Sequence, residues 1–364
     1  MESKLNKGEW VTRRELMCVE FLVNCARPAP SADNSQPWAF RKNEGGLDII
    51  YDGARVAHKT FAAEDPATLI AIGALLENIS QGASAAALDV EISLWPEGRA
   101  EKEVFARVFI GDGGSETHLA KFGHHPLFDR HTNRFPFSAK LPPEEELWGM
   151  TNQSCNQARI AWLSGPDIKS MGSLVGQASE VRFQTSEVHE WLARSLRFDV
   201  QDDSVNDGLD VSTLALPPGG SALLKFLSPW PRMRALNRIG AYKLMAAIEA
   251  APVKSAPVLA AIISPSDNDA LLSVGMLMER LWIALNAAGL AVHPYYVISD
   301  QLHRLTKGTI PAGLEGQVES VDAKCRELLK LQPGEQLQIL FRVGYPTREA
   351  VRSRRLPAAR LIVA

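Results

Sequence analysis

Residues 73–90 of this chain lie on residues 275–292 without a gap, and this internal match limits the fold more than any other feature of the sequence. Gly73 falls on Gly275, Glu77 on Glu279, Ala85 and Ala86 on Ala287 and Ala288, and Leu88 and Val90 on Leu290 and Val292. Further downstream, Val108, Ile110 and Gly111 fall on Phe341, Val343 and Gly344. Two buried amphipathic helices can look alike by chance. A helix and a strand repeated in the same order are better explained by internal duplication. The chain therefore reads as two halves, 1–120 and 121–364, divided in the polar, Gly-rich stretch 114–123.

Hydrophobic spacing supplies the elements. Leu16, Val19, Phe21, Leu22 and Ala26 predict a helix over 11–26. Residues 38–40 and 47–51 read as a hairpin around Asn43-Glu44-Gly45-Gly46. Asp65 is the expected N-cap of a long helix with Pro66 in its first position and Leu69, Ile72, Leu76, Ile79 and Ala83 as its apolar stripe. Strands follow at 90–94 and 104–110. In the second half, 155–198 reads as a strand and then a helix carrying Val188, Trp191, Leu192 and Leu196. A buried strand is expected at 258–263, and the last core strand at 338–343. Before these strands, 199–256 is an irregular insertion with Pro217-Pro218-Gly219-Gly220, Pro229-Trp230-Pro231 and one helix near 234–250. It is either a lid over a substrate pocket or inert packing.

Composition removes several function classes. With 364 residues, 46% of them hydrophobic, the chain is long enough for a large core. The net charge of −3 gives no global field toward nucleic acid or an acidic membrane, so neither is an expected partner. Cys18, Cys25, Cys155 and Cys325 show no C-x-x-C spacing and read as small hydrophobes of a reducing compartment. The first residues carry no apolar signal segment and no apolar run approaches bilayer length, so the expected location is cytoplasmic. There is no G-x-G-x-x-G, Walker loop, H-E-x-x-H or G-x-S-x-G, and His124-His125 lacks further zinc ligands.

The stretch 27–38 is a stiff loop, because Pro28, Pro30 and Pro37 fix φ and push the residues before them toward extended geometry. Ser31, Asn34 and Gln36 place a hydroxyl and two amides on it. Such groups close turns on their own backbone, and amides also suit the edge of a flat heterocycle. In full, Ala29-Pro30-Ser31-x-x-Asn34-x-Gln36-Pro37-Trp38 resembles the A-P-S-x-x-N-x-Q-P-W signature of the nitroreductase family, which binds FMN. In that family the loop reaches across a dimer interface to the flavin of the other subunit. The resemblance thus implies that Ser31, Asn34 and Gln36 face the isoalloxazine edge.

A second stretch carries the same resemblance. Arg130-x-Thr132-x-Arg134, followed directly by Phe135-Pro136-Phe137 and later by Leu141-Pro142-x-Glu144, is similar to the R-x-S-x-[RK]-x-F opening of nitroreductases, with a Phe one position to either side of the family's. By itself R-x-T-x-R is a solvated charge cluster, although two guanidinium groups and a hydroxyl also suit a phosphate. By the resemblance, Arg130 and Thr132 hold the FMN phosphate and ribityl chain, and Arg134 lies near flavin N1 and O2. It also puts Pro294 and Tyr295 of His293-Pro294-Tyr295-Tyr296 over the flavin, where the family offers a backbone N–H to N5, often from a glycine. Gly344-Tyr345-Pro346 resembles the family's terminal G-Y-P, and of the tail arginines Arg352 and Arg354 are the expected phosphate contacts. His293 is a satisfied histidine at a strand edge, or an acid–base group without a visible partner.

The second half lacks the A-P-S-x-x-N-x-Q-P-W loop and the first lacks a good R-x-S-x-R, since Thr12-Arg13-Arg14-Glu15 matches poorly. These complementary losses resemble single-chain, fused-dimer members of the family. The implied fold is α+β, two intertwined halves in one chain, each a mixed sheet flanked by helices, with one FMN at their seam and the dimer internal to a monomer. The implied activity is hydride transfer from NAD(P)H through FMN to an electron-poor small molecule. The alternatives are an FMN-sequestering protein without turnover and an oxygen-using flavin oxidase or desaturase.

Overall fold

The computed structural model describes residues 3–5, 9–11, 13–57, 59–98, 104–115, 123, 125–151, 155, 157–198 and 206–363. The start of the chain, most of the dividing stretch 114–123, His124 and the first residues of the insertion lie outside them.

After a short antiparallel pair, Ser3–Leu5 with Glu9–Val11, the first half continues with helix α1 (Arg13–Ala26), followed by the hairpin β1 (Trp38–Asn43) and β2 (Gly46–Tyr51). Gly45 turns the hairpin at φ +82, a left-handed value that costs a glycine nothing. Helix α2 (Pro66–Ala85) begins at the expected cap, and β3 (Leu88–Leu94) and β4 (Val104–Gly113) follow. The apolar stripe expected on α2 is buried, and so are Ile70, Ala71, Ala74, Leu75, Glu77 and Asn78, so the helix is interior nearly all round.

The second half contains β5 (Arg159–Leu163), α3 (Pro166–Arg182) and α4 (Ser186–Ser195). The insertion carries α5 (Gly220–Leu227), α6 (Trp230–Asn237) and α7 (Ala241–Lys254). After it come β6 (Val258–Ser264), α8 (Asn268–Ala287), β7 (Ala291–Tyr295), α9 (Val297–Thr306), α10 (Glu315–Leu329), β8 (Gln336–Gly344) and the terminal β9 (Ile362–Val363). Two expectations need correction. The single helix near 234–250 is two helices, broken where Gly240 takes φ +91 at the N-cap of α7, and 155–198 holds two helices rather than one.

Two sheets organise these elements. One has the order β9-β1-β2-β4-β3 and the other β7-β8-β6-β5. Setting β9 aside, each sheet reads third, fourth, second, first strand in chain order, with antiparallel neighbours throughout. In each, a 20-residue helix runs between the second and third strands. β9 adds to β1 in parallel, Ile362 opposite Phe40, so the end of the chain completes the sheet of the first half. That parallel strand makes the first sheet mixed. The second sheet is purely antiparallel, not mixed as expected, because no tail strand joins it.

Helices α2 and α8 cross at their matched glycines. A Cβ on Gly73 would stand 2.1 Å from the Leu272 carbonyl oxygen, and one on Gly275 would stand 2.0 Å from the Ile70 carbonyl oxygen. Each glycine therefore meets the backbone around the other, the reciprocal pattern of an isologous interface. One core cluster spans both halves, including Leu22, Trp38, Phe105, Leu272, Trp282 and Phe341, all within 2% of full burial. A second fills the other face of the second sheet with Val175, Leu259, Ile263, Val321 and Leu340. Helix α8 is long and apolar enough to cross a membrane by length and composition, contrary to the reading from run length, and it is packed inside this core.

Candidate functional site

The stretch 130–134 is held down by its backbone. His131 N–H donates to Asn286 Oδ1 (2.9 Å), the Trp282 indole N–H donates to the His131 carbonyl (3.0 Å), and Asn133 N–H donates to the Val292 carbonyl (2.8 Å). Thr132 forms an isolated bridge with Val292. This clamp presses Arg130 onto α8, where its guanidinium lies over the Trp282 ring (4.5 Å to the centroid) and its Nε stands 2.9 Å from Glu279 Oε1. Both partners of that ion pair are almost fully buried.

The carbonyl of Pro28, at the start of the stiff loop, accepts from Arg130 Nη2 and from Arg355 Nη2. Arg355 Nη1 also donates to Asn34 Oδ1 (2.6 Å), while its buried Nε has no hydrogen-bond partner among the described residues. Loop, clamp and tail thus converge on one point from distant parts of the sequence. The charges there do not cancel. Burial pushes Glu279 up to about 7, against the pull of the Arg130 charge. Burial likewise pushes Arg355 down to about 9, helped by the charge of Arg130. Two guanidinium groups share one carboxylate that burial drives toward neutrality, so the nest carries surplus positive charge.

The other expected phosphate contacts lie at the rim. Arg352 is half exposed, donates to the Phe128 carbonyl (2.9 Å) and pairs with Asp129 (3.3 Å). Its charge also helps lower Arg130, behind the larger effect of burial. Arg354 pairs with Asp210 (3.0 Å). The tail arginine that enters the nest is Arg355, which the sequence reading passed over because nothing in Arg352-x-Arg354-Arg355 fixes the register.

The amides of the loop are engaged. Asn34 Nδ2 donates to the carbonyls of Gly208 (3.0 Å) and Arg354 (2.9 Å). Gln36 Nε2 donates to the Asn206 carbonyl (3.0 Å), and its Oε1 accepts from Leu356 N–H (2.9 Å). Ser31 Oγ accepts from Gln36 N–H (2.9 Å). Asp33, Asn34 and Gln36 all take φ near +50, which is strained for a glutamine, and these side-chain bonds hold the strain in place.

A second cluster of polar groups adjoins the loop. Arg134, Asp33 and His293 keep some accessible surface yet sit where desolvation dominates their ionisation. Burial lowers Arg134, with Asp33 and Tyr295 opposing it. Burial raises Asp33, with Arg182 and Arg134 opposing it. His293 is held neutral, first by burial and then by Arg134 and Arg342, and its Nδ1 has no partner among the described residues. Its ring lies 4.5 Å from that of Tyr295, whose phenol burial keeps protonated. Arg134 Nη1 donates to the Thr213 carbonyl (3.3 Å), so the insertion touches this cluster as well as the loop. Pro294 has no backbone N–H, and the contact expected at flavin N5 has no donor at that position.

Two cavities lie elsewhere. One of about 470 Å³ is lined by Glu77, Ser80, Gln81, Ser84, His125 and Arg280 among others, and one of about 150 Å³ lies between α3 and α4 on one side and the helices of the insertion on the other. None of the expected site residues lines either.

No protein-family model and no curated protein sequence matches the chain. Among solved structures it is similar to the FMN-dependent nitroreductase NfnB from Mycobacterium smegmatis in complex with NADPH (16% identity, 66% of this chain and 97% of that one, TM-score 0.40). It is similar also to a nitroreductase with bound FMN from Desulfitobacterium hafniense DCB-2 (12% identity, 65% and 93%, TM-score 0.34). A third is oxidized iodotyrosine deiodinase bound to FMN and 3-iodo-L-tyrosine (17% identity, 63% and 93%, TM-score 0.33). Likenesses at these identities and scores decide neither ligand nor reaction, and the α+β class rests on the elements and sheets described above.

Proposed function

We propose that this chain is an FMN-binding oxidoreductase of the nitroreductase type, built from two copies of one unit, 1–120 and 121–364, with one flavin site at their seam. The observation that carries the reading is the double use of the Pro28 carbonyl by Arg130 and Arg355, with Asn34 on the same Arg355. The two motifs that resemble the family come from different halves and meet there. The surplus cationic charge and the unpartnered Arg355 Nε fit a phosphate monoester. Matched strand orders and the glycine crossing support the duplicated halves.

When bound, FMN supplies the hydride chemistry, from a reduced nicotinamide to an electron-poor small molecule. The chain's own groups do the rest. Arg130, Thr132 and Arg355 would hold the phosphate, with Arg352 at the rim. Arg134 brings a fixed positive charge to the cluster beside the loop, where low dielectric would make it effective against negative charge developing on a ring. His293 and Tyr295 stay neutral there, so they orient by hydrogen bonding rather than exchange protons. The four cysteines, unpaired, support a reducing compartment.

One observation favours a second reading, in which the flavin is held without turnover. Residues 206–213 run along the loop and over Arg134 through Asn206, Gly208 and Thr213, and Asp210 ties them to Arg354. Anaerobic addition of NADH or NADPH to FMN-loaded protein separates the two: bleaching supports the oxidoreductase, and a persistent yellow colour supports the holding protein. Arg130→Ala and Arg355→Ala should each weaken FMN binding at least tenfold by fluorescence titration, since charge-assisted bonds to phosphate contribute about 1.5–3 kcal/mol each. Folded variants that bind FMN as tightly as the parent would remove the site.

A further inference from the structure

Helices α5, α6 and α7 turn one set of apolar residues inward, with Leu227, Met233 and Ala246 packed around Phe183. They leave a second set in solvent: Leu223 and Phe226 on α5, Ile239 in the turn before α7, and Leu244 and Ile248 on α7. Ile239 is 83% exposed and Leu244 65%. On α7 the buried residues are Ala246, Ala250 and Val253, and Leu244 and Ile248, one turn apart, point the opposite way. Nothing in the described protein covers that face.

Its charge is as uneven as its polarity. Residues 211–256 contain Lys225, Arg232, Arg234, Arg238, Lys243 and Lys254, all exposed, and a single acid, Glu249, which is paired with Arg182 (2.8 Å). The whole chain has 39 basic and 42 acidic residues, so this face is cationic on a body that is otherwise acidic. Exposed aliphatic side chains interleaved with Lys and Arg match the headgroup region of a bilayer, where the apolar groups enter the acyl boundary and the cations lie among lipid phosphates.

We infer that the helical part of the insertion, residues 220–254, docks the protein peripherally on a bilayer surface rich in anionic phospholipid. A second copy of the chain fits less well, because a shared two-fold axis would bring two cationic faces together. Nucleic acid fits less well too, because the exposed apolar residues are aliphatic apart from Phe226 and offer little stacking surface. A fluid bilayer accepts side chains scattered over convex helices without a shaped groove.

Co-sedimentation of the full chain with vesicles tests this. The protein should sediment with phosphatidylcholine–phosphatidylserine vesicles, stay in solution with phosphatidylcholine alone, and dissociate as salt rises. Combined Arg234→Glu, Arg238→Glu and Lys243→Glu should lower the partition more than tenfold, each basic residue near an anionic surface being worth about fivefold. Ile239→Ser with Leu244→Ser should also lower it at unchanged charge. All five positions are exposed, so circular dichroism should remain that of the parent. Equal sedimentation with both vesicle types, sedimentation with neither, or charge-reversed protein that binds as before would overturn the inference. So would a concentration-dependent dimer in light scattering that Ile239→Ser with Leu244→Ser abolishes, which would assign the face to a second copy.

Discussion

Gly73→Ala places a methyl group at the tightest point of the seam. The added carbon would lie 2.1 Å from the Leu272 carbonyl oxygen and 2.9 Å from Gly275 Cα, where ordinary contact begins at 3.4 Å. The neighbours are backbone atoms of another helix, so no side chain can rotate away, and α2 and α8 must separate by about 1.3 Å. Overpacking of this kind costs roughly 1–3 kcal/mol, and a rigid backbone contact belongs at the upper end. Alanine returns up to about 1 kcal/mol of helix propensity. The expected net loss is about 2 kcal/mol, read as a shift in the urea midpoint at unchanged slope. Gly275→Ala should cost a similar amount. Once one methyl has spread the crossing, the second meets a wider gap, so the double variant should lose clearly less than the sum of the singles. A Gly73→Ala protein as stable as the parent, or strictly additive losses, would refute a backbone-limited crossing.

Two further outcomes follow from buried carboxylates. Glu279 is raised to about 7 in the folded chain from an ordinary value near 4.5, so between those values the folded state binds the extra proton. Its contribution to stability is fully present below about pH 4.5 and is lost as pH rises through 7. Glu279→Gln should therefore match the parent near pH 4.5 and exceed it at pH 8, by at most about 3 kcal/mol at roughly 1.4 kcal/mol per unit; denaturant melts at the two pH values check it, and a variant less stable at pH 8 contradicts it. Asp65 behaves oppositely. Burial pushes its carboxyl up, but bonds from His303 (3.0 Å), Lys307 and the Ala62 N–H (2.9 Å) outweigh that and hold it well below its ordinary value. Its stabilisation is present above about pH 4 and lost below, so Asp65→Asn should cost about 2 kcal/mol at pH 7 and progressively less as pH falls below 4.

What the sequence disclosed was local or repeated. The hairpin at Gly45, the Asp65-Pro66 helix start, the buried strand Val258–Ser264 and the matched glycines were all readable, because turn chemistry, capping and periodicity act over a few residues. Long-range satisfaction was not. Asn34 reads as a free amide until Gly208 and Arg354 are brought against it, and Arg355 cannot be told from its neighbours in the tail without the fold. The break at Gly240 was hidden by apolar spacing that continues across it. The net charge of −3 averaged a cationic face into an acidic body and so masked the surface around Ile239.

On the proposed reading, the seam also explains why only one half would keep a phosphate clamp. Under the proposal of duplicated halves, Glu77 and Glu279 occupy the same place on α2 and α8, but their surroundings have diverged. Glu77 is held by both arms of Arg280 (2.8 Å each) and accepts from Gln81 (2.8 Å), so its charge is matched within the helix pair. Glu279 faces Asn78 where symmetry would supply an arginine, and it recruits Arg130 instead. Trp282 and Asn286, which clamp His131 and so deliver Arg130, correspond to Ser80 and Ser84, whose side chains are too short to hold an equivalent loop. Those two serines line the open cavity of about 470 Å³ beside Glu77. One exchange of partners, arginine for asparagine across the crossing, thus leaves a self-neutralised pair facing a cavity on one side and an unbalanced, loop-capped cationic nest on the other. Asn78→Arg, with Arg280 kept on Glu77, should satisfy Glu279 from within the helices and free Arg130 from it. Loss of the rise in Glu279, visible as a parent-like stability at pH 4.5 that no longer declines toward pH 8, is the expected signature; an unchanged pH profile would show that burial alone, and not the missing arginine, sets the charge of the nest.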